Sequence, residues 1–167
     1  MKPLVIPLLI LAALAISSCE TTDSGYGYVA NGLDEDSIVE LIHLSDEAVN
    51  ERQYEIYTGL FAPGYYSLDR SESFDIVHSR IGRFEYFDLV RDIFKHAKEI
   101  IVYSTITDIE FVEPGTRAIV TIQEDGLLDY QGERKRVVSM SEVEVGYEDG
   151  WIFFESSTTI AKKDIKE

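Results

Sequence analysis

Near residue 99 the hydrophobic period of this chain changes from helical to two, and no other feature limits the fold as strongly. Downstream, Ile101, Tyr103, Thr105, Thr107, Ile109 and Phe111 alternate with a more polar set. Pro114-Gly115 turns the chain, Arg117–Gln123 carries the alternation on, and Gly126 is expected at a bulge. Gln131-Gly132-Glu133 reads as the next turn. Val137–Tyr147 alternates over a long run, Glu148-Asp149-Gly150 is a hairpin turn, and Trp151–Ile160 closes the pattern. The expectation is four long antiparallel strands in a meander.

Upstream, three helices are expected. Ser37 to Glu40 has capping-box spacing, with Asp34, Glu35 and Asp36 adding negative charge at the helix start. Ile38, Leu41, Ile42, Ser45, Ala48 and Val49 then recur at helical spacing. Asn50–Gln53 reads as a second cap, opening a short helix that carries Tyr54, Tyr57, Leu60 and Phe61 and stops at Pro63-Gly64. Tyr65–Leu68 and Phe74–His78 are short β-prone pieces fit for a hairpin. Arg83–Ala97 is the third helix, its stripe formed by Phe84, Phe87, Val90, Phe94 and Ala97. Helices followed by strands point to an α+β domain, with helices covering one face of a curved antiparallel sheet.

The chain has 167 residues, 45% hydrophobic and 28% charged, an ordinary globular mixture with room for one domain. Its 31 acidic residues against 15 basic ones give a net charge of −16. That balance excludes a nucleic-acid partner, which needs a basic surface, and electrostatic docking on anionic lipid. With Cys19 as the single cysteine, no disulfide within the chain can form.

The first residues read as an address. Met1-Lys2-Pro3 is basic, and Leu4–Ile16 is an uncharged, almost wholly apolar run. Its thirteen residues fall short of the ~20 that a membrane-spanning helix needs but match a signal-peptide core. Ile16-Ser17-Ser18-Cys19 resembles the bacterial lipobox, in which the cysteine is lipidated after cleavage. The resemblance implies a signal peptide over 1–18, a lipid on Cys19 and attachment to the cell envelope. Glu20, rather than Asp, follows the cysteine, which by the same resemblance favours the outer membrane facing the periplasm in a Gram-negative organism. In a Gram-positive one the box implies the outer face of the plasma membrane. Glu20–Gly32 is small, polar and Gly-containing, so residues 19–33 are expected as lipidated cysteine and tether, 34–163 as the domain and 164–167 as a tail. Tyr26, Tyr28 and Val29 either belong to the tether or dock on the domain.

The element order, together with Leu60-Phe61-Ala62-Pro63-Gly64-Tyr65-Tyr66 after the second helix, resembles the nuclear transport factor two-like superfamily, with its SnoaL-like members and the ketosteroid isomerase fold. The resemblance spans about Asp34 to Lys163. It implies a cone whose helices and concave sheet enclose a pocket. In enzymes of this fold, acids, tyrosines or histidines inside the cone move protons. No local motif carries such a role onto a single residue here, so no catalytic residue is assigned.

Tyr57 and Tyr103 are the expected pocket-lining tyrosines, Glu155 the expected partly buried carboxylate, and His78 the histidine nearest the expected cone mouth. Glu142 and Glu144 share one strand face; either that face lines the cone, or Val143 and Val145 do and the glutamates meet water. His43, His78 and His96 lie far apart, so neither a metal nor a cofactor is expected. Glu133-Arg134-Lys135-Arg136 is read as a hairpin end pairing with nearby acids.

Three functions are weighed. The preferred one is a membrane-anchored, non-catalytic module that binds a small apolar molecule or a protein partner. The second is an isomerase or dehydratase using a carboxylate and a tyrosine in the cone. The third is a structural component of an envelope complex. A homodimer through the outer sheet face, with Ser139, Ser141 and Thr158 in the interface, is also expected.

Overall fold

The computed structural model describes residues 26–70 and 79–166. Cys19, the signal-peptide segment, Phe74–Val77 and His78 lie outside the described residues.

The chain runs β1 (Tyr28–Val29), α1 (Glu35–Asn50), α2 (Tyr54–Gly59), β2 (Phe61–Asp69), β3 (Ser79–Gly82), α3 (Arg83–His96), β4 (Glu99–Glu113), β5 (Arg117–Tyr130), β6 (Glu133–Glu148) and β7 (Trp151–Lys166). The sheet order is β3-β2-β7-β6-β5-β4, with β1 also on β7. The four long strands form the expected antiparallel meander. Among the described residues, only β2 joins in parallel, against β7. The three helices cover the concave face, where Ile38, Leu41 and Ile42 of α1 and Phe87 of α3 meet Val120, Val145 and Ile152. This is the α+β cone expected from the sequence.

Several boundaries differ, each for a local reason. Asp34, not Ser37, caps α1: its carboxylate accepts the Ser37 N–H at 2.8 Å, and Ser37 Oγ accepts the Asp34 N–H at 3.0 Å. Asp caps as well as Ser, so the box closes one turn earlier. Helix α2 ends at Gly59, and Pro63-Gly64 sits inside β2, where the register against β7 slips between Phe61 and Tyr66. A slipped register is where a strand can hold a proline. Among the described residues the hairpin partner of β2 is Ser79–Gly82; the piece expected there, Phe74–His78, lies outside them. Gly126 is not at a bulge: it pairs in unbroken register with Val102 and Val137. Strand β7 runs to Lys166, so residues 164–166 of the expected tail are sheet, supported by a 3.8 Å pair between Lys135 and Asp164.

The segment before α1 docks on the domain. Tyr28 and Val29 pair with Ile152 and Trp151. Gly27 takes a positive φ of 83° and lies against the Ile152 carbonyl, where any Cβ would collide. Tyr26 packs edge-on against Phe153, with ring centroids 4.8 Å apart. The outer sheet face, where a homodimer is expected from the sequence, is thus covered at Phe153 by the chain's own Tyr26.

Candidate active site

The concave face of the sheet is laid out in cross-strand rungs. One is Ile106–Ile122–Ser141; the next is Ser104–Glu124–Ser139. On β5, Ala118, Val120, Ile122 and Glu124 alternate on one side, so a carboxylate continues a row whose first three side chains are buried core. Helices close over these rungs and leave a cavity of about 300 Å³. Among its walls are Asp46 of α1, Tyr57 of α2, Tyr65 and Ser67 of β2, Tyr86 of α3, Glu124 of β5 and Ser157 of β7.

Of the two acids in this wall, Asp46 and Glu124, the deeper is Glu124. One oxygen accepts a 2.9 Å hydrogen bond from Ser139 Oγ, and no bond to the other is found among the described residues. Its side chain lines the cavity and is otherwise largely enclosed by protein. Burial raises its carboxyl above the ordinary glutamate range; the Ser139 bond opposes the rise and the Asp46 charge adds to it. Asp46 is tied more fully: Ser104 gives it the backbone N–H at 2.7 Å and the hydroxyl at 2.8 Å. Burial raises its carboxyl too, against the pull of those two bonds. Asp46 lies one turn after Ile42, on the flank of the buried stripe of α1.

Opposite the acids stand three tyrosines. Tyr57 and Tyr86 share a 2.8 Å hydroxyl bond, and Tyr65 bonds Ser157 at 2.7 Å, which bonds Ser67 at 3.1 Å. Burial pushes all three phenols well above their usual range, so each keeps its proton at any physiological pH. The Tyr57–Tyr86 pair uses one proton in the bond between them. The second is left for a neighbouring hydroxyl or a ligand. The cavity therefore holds a carboxylate that can accept a proton and phenols that stay protonated and so have hydrogens to donate.

Of the residues singled out by sequence, Tyr57 lines this cavity. Tyr103 does not: it is 67% exposed on the outer face. Its misplacement has one cause. A bulge between Ile106 and Asp108 reverses the alternation of β4, so Val102, Ser104 and Ile106 face in before it and Ile109 after it. Glu155 lies on the outer face as well, 3.0 Å from Arg117, which also meets Glu144 at 3.2 Å. Its carboxyl is raised by partial burial and lowered by Arg117. Val143 and Val145 are buried and Glu142 is exposed, so the Glu142/Glu144 face meets water. Ser139 and Ser141, expected in an outer interface, face the cavity side instead. Phe84, expected in the stripe of α3, is 83% exposed. The basic run pairs as expected: Arg134 with Glu99 at 3.1 Å and Arg136 with Asp125. Among the described residues no cluster of His, Cys, Asp and Glu is arranged to hold a metal.

No family model matches the chain, and no curated protein matches it in sequence. Solved structures do match in fold. A protein from Novosphingobium aromaticivorans described as a scytalone dehydratase candidate is 18% identical, with a TM-score of 0.62 over 78% of this chain and 86% of its own. A conserved protein from Planctomyces limnophilus is 14% identical, with a TM-score of 0.67 over 79% and 98%. The hexachlorocyclohexane dehydrochlorinase LinA-type3 from Novosphingobium barchaimii is 16% identical, with a TM-score of 0.59 over 77% and 87%. The fold is the nuclear transport factor two-like, cystatin-like cone, and enzymes are among its bearers.

Proposed function

We propose that the chain is an acid–base enzyme of the elimination or isomerisation type, acting on a small, partly apolar molecule, and that Glu124 is its proton-transferring group. The observation that carries this reading is Glu124 itself: a carboxyl with a raised proton affinity in the wall of a cavity, with one oxygen bonded by no other group among the described residues and with phenols that stay protonated in the same wall. A binding module needs no such group, and burying one costs free energy. Two of the structures similar in fold bear the names of enzymes that eliminate water or hydrogen chloride, which fits the same class of chemistry.

In an elimination, ionised Glu124 takes a proton from carbon. The C–H electron pair becomes the new π bond, and the leaving group departs with its own pair, hydrogen-bonded by a tyrosine hydroxyl. In an isomerisation, Glu124 returns the proton to another carbon of the same molecule. Asp46, fixed by Ser104, acts on Glu124 by its charge and is a positioning residue.

The lipobox-like Ile16–Cys19 supports placing this domain on a membrane through a lipid on Cys19, on the periplasmic face of the outer membrane in a Gram-negative cell.

The test uses 5-nitrobenzisoxazole, whose ring opens when a base removes its C–H proton: the C–H pair forms the nitrile and the N–O pair leaves on the phenolate. The chain is expected to saturate with this probe, and Glu124→Gln to lose about a hundredfold or more in rate. Equal rates in both proteins would contradict the assignment.

A further inference from the structure

Beyond the rung of Glu124 the concave face changes character. The next rung is Val102–Gly126–Val137, and after it come Ile100 and Leu128. Helix α3 lays Val90, Ile93 and Phe94 over these residues without filling the space. What remains is an almost wholly apolar cleft of about 240 Å³. It shares Val49, Tyr57 and Val102 with the cavity that holds Glu124. Tyr57 thus stands at the junction, its hydroxyl bonded to Tyr86 on the cavity side.

Gly126 explains why the cleft exists. Its φ is not positive, so no turn or bulge requires glycine there. A Cβ at Gly126 would meet only the Ile101 carbonyl at 3.5 Å and the Val137 carbonyl at 3.8 Å, both ordinary contacts. The backbone would accept a larger residue, and a strand interior favours one. A side chain at this position, on the row that continues Ile122 and Glu124, would occupy the cleft. The glycine keeps its floor open.

We infer that the substrate is amphipathic: its reacting polar end lies at Glu124, and an apolar limb of about six to eight carbons lies over Gly126. The limb's size follows from the volume of the cleft, at about 30 Å³ for each small group. This rests on the cavity being the ligand site, as proposed above. It adds a second subsite, and with it a substrate class. An apolar limb would also displace whatever water enters a cleft that offers it almost no polar partner.

Neutral primary alcohols from butanol to octanol are the probes, since they need no reaction and carry no charge for Glu124 to repel. Binding is read from the amide shifts of Val102 and Leu128 in the full chain. Affinity is expected to rise about fourfold per added methylene, up to the length that fills the cleft. Gly126→Leu fills it from the sheet and Ile93→Trp from the helix, and each is expected to abolish most of that gain. Affinity independent of chain length, shifts confined to residues away from Val102 and Leu128, or a gain that survives in both folded variants would overturn the inference. If either variant fails to fold, the wild-type series and its shifts decide. Failure of the Glu124 chemistry is read separately, from the 5-nitrobenzisoxazole reaction, since alcohol binding needs no proton transfer.

Discussion

Glu124 and Ser104 stand directly across from each other on β5 and β4, and Ser104 gives both its N–H and its hydroxyl to Asp46. Two carboxyls from different parts of the chain thus meet around one serine in the cavity wall. Their mutual repulsion and their burial both favour holding protons. A helix, an edge strand and the neighbouring strand must all be in place for this to arise.

Asp46→Asn removes one of the two charges while keeping an acceptor for Ser104. The carboxyl of Glu124 should then fall toward its ordinary range. The rate of probe opening in this variant should reach its plateau at lower pH than in the wild type. An unchanged pH profile would show that Asp46 does not act on Glu124.

Glu124 also bears on stability. Its proton affinity is higher folded than unfolded, so the native state binds more protons between the two ionisations, and stability falls as pH rises through them. Glu124→Gln should abolish its share of that fall. Thermal melting from pH 4 to 8 should show the variant gaining on the wild type as pH rises. A gain that shrinks with pH would contradict the raised carboxyl.

Much of the fold was legible. The change of period at residue 99, the turns at Pro114-Gly115 and Glu148-Asp149-Gly150, and the stripe of α1 all lie where the sequence puts them. The site was less legible, because bulges are invisible to alternation. One bulge at Ile106/Asp108 sends Tyr103 outward, and another at Glu144/Val145 separates outward Glu155 from inward Ser157. Glu124 was within reach: extending Ala118, Val120 and Ile122 by two residues lands on it. A strand that stays in register keeps its parity, and β5 does so against β6. Asp46 needed the fold, since a flank position on a helix meets either water or the sheet.

Asn50 makes a different prediction. Its side chain donates to the Val102 carbonyl at 3.0 Å and accepts the Val102 N–H at 2.7 Å, as a neighbouring strand would. With Asp46 it covers part of the free edge of β4. Asn50→Leu should destabilise the domain by about 1–3 kcal/mol and speed hydrogen exchange at the Val102 amide. Normal protection there would mean that the edge is held otherwise.

Removing the phenolic hydroxyls tests the donors. Tyr57→Phe and Tyr86→Phe should each lower the probe rate about tenfold, with stability changing by about 1 kcal/mol or less. The double variant should lose less than the product, because the two hydroxyls share one bond. Strict additivity would separate their roles.

Cys19→Ser tests the anchor. Expressed in a Gram-negative host, the wild-type chain is expected in the outer-membrane fraction and the variant in the soluble periplasmic one. Equal partitioning would remove the lipid from the account.

The dependence of probe opening on pH, followed in the wild type and in Glu124→Gln, decides whether Glu124 is the base. The wild-type rate is expected to rise through one ionisation above the usual glutamate range and then level, and the variant to show no such rise. The same profile in both proteins, or an ionisation at the ordinary value for an exposed glutamate, would contradict it.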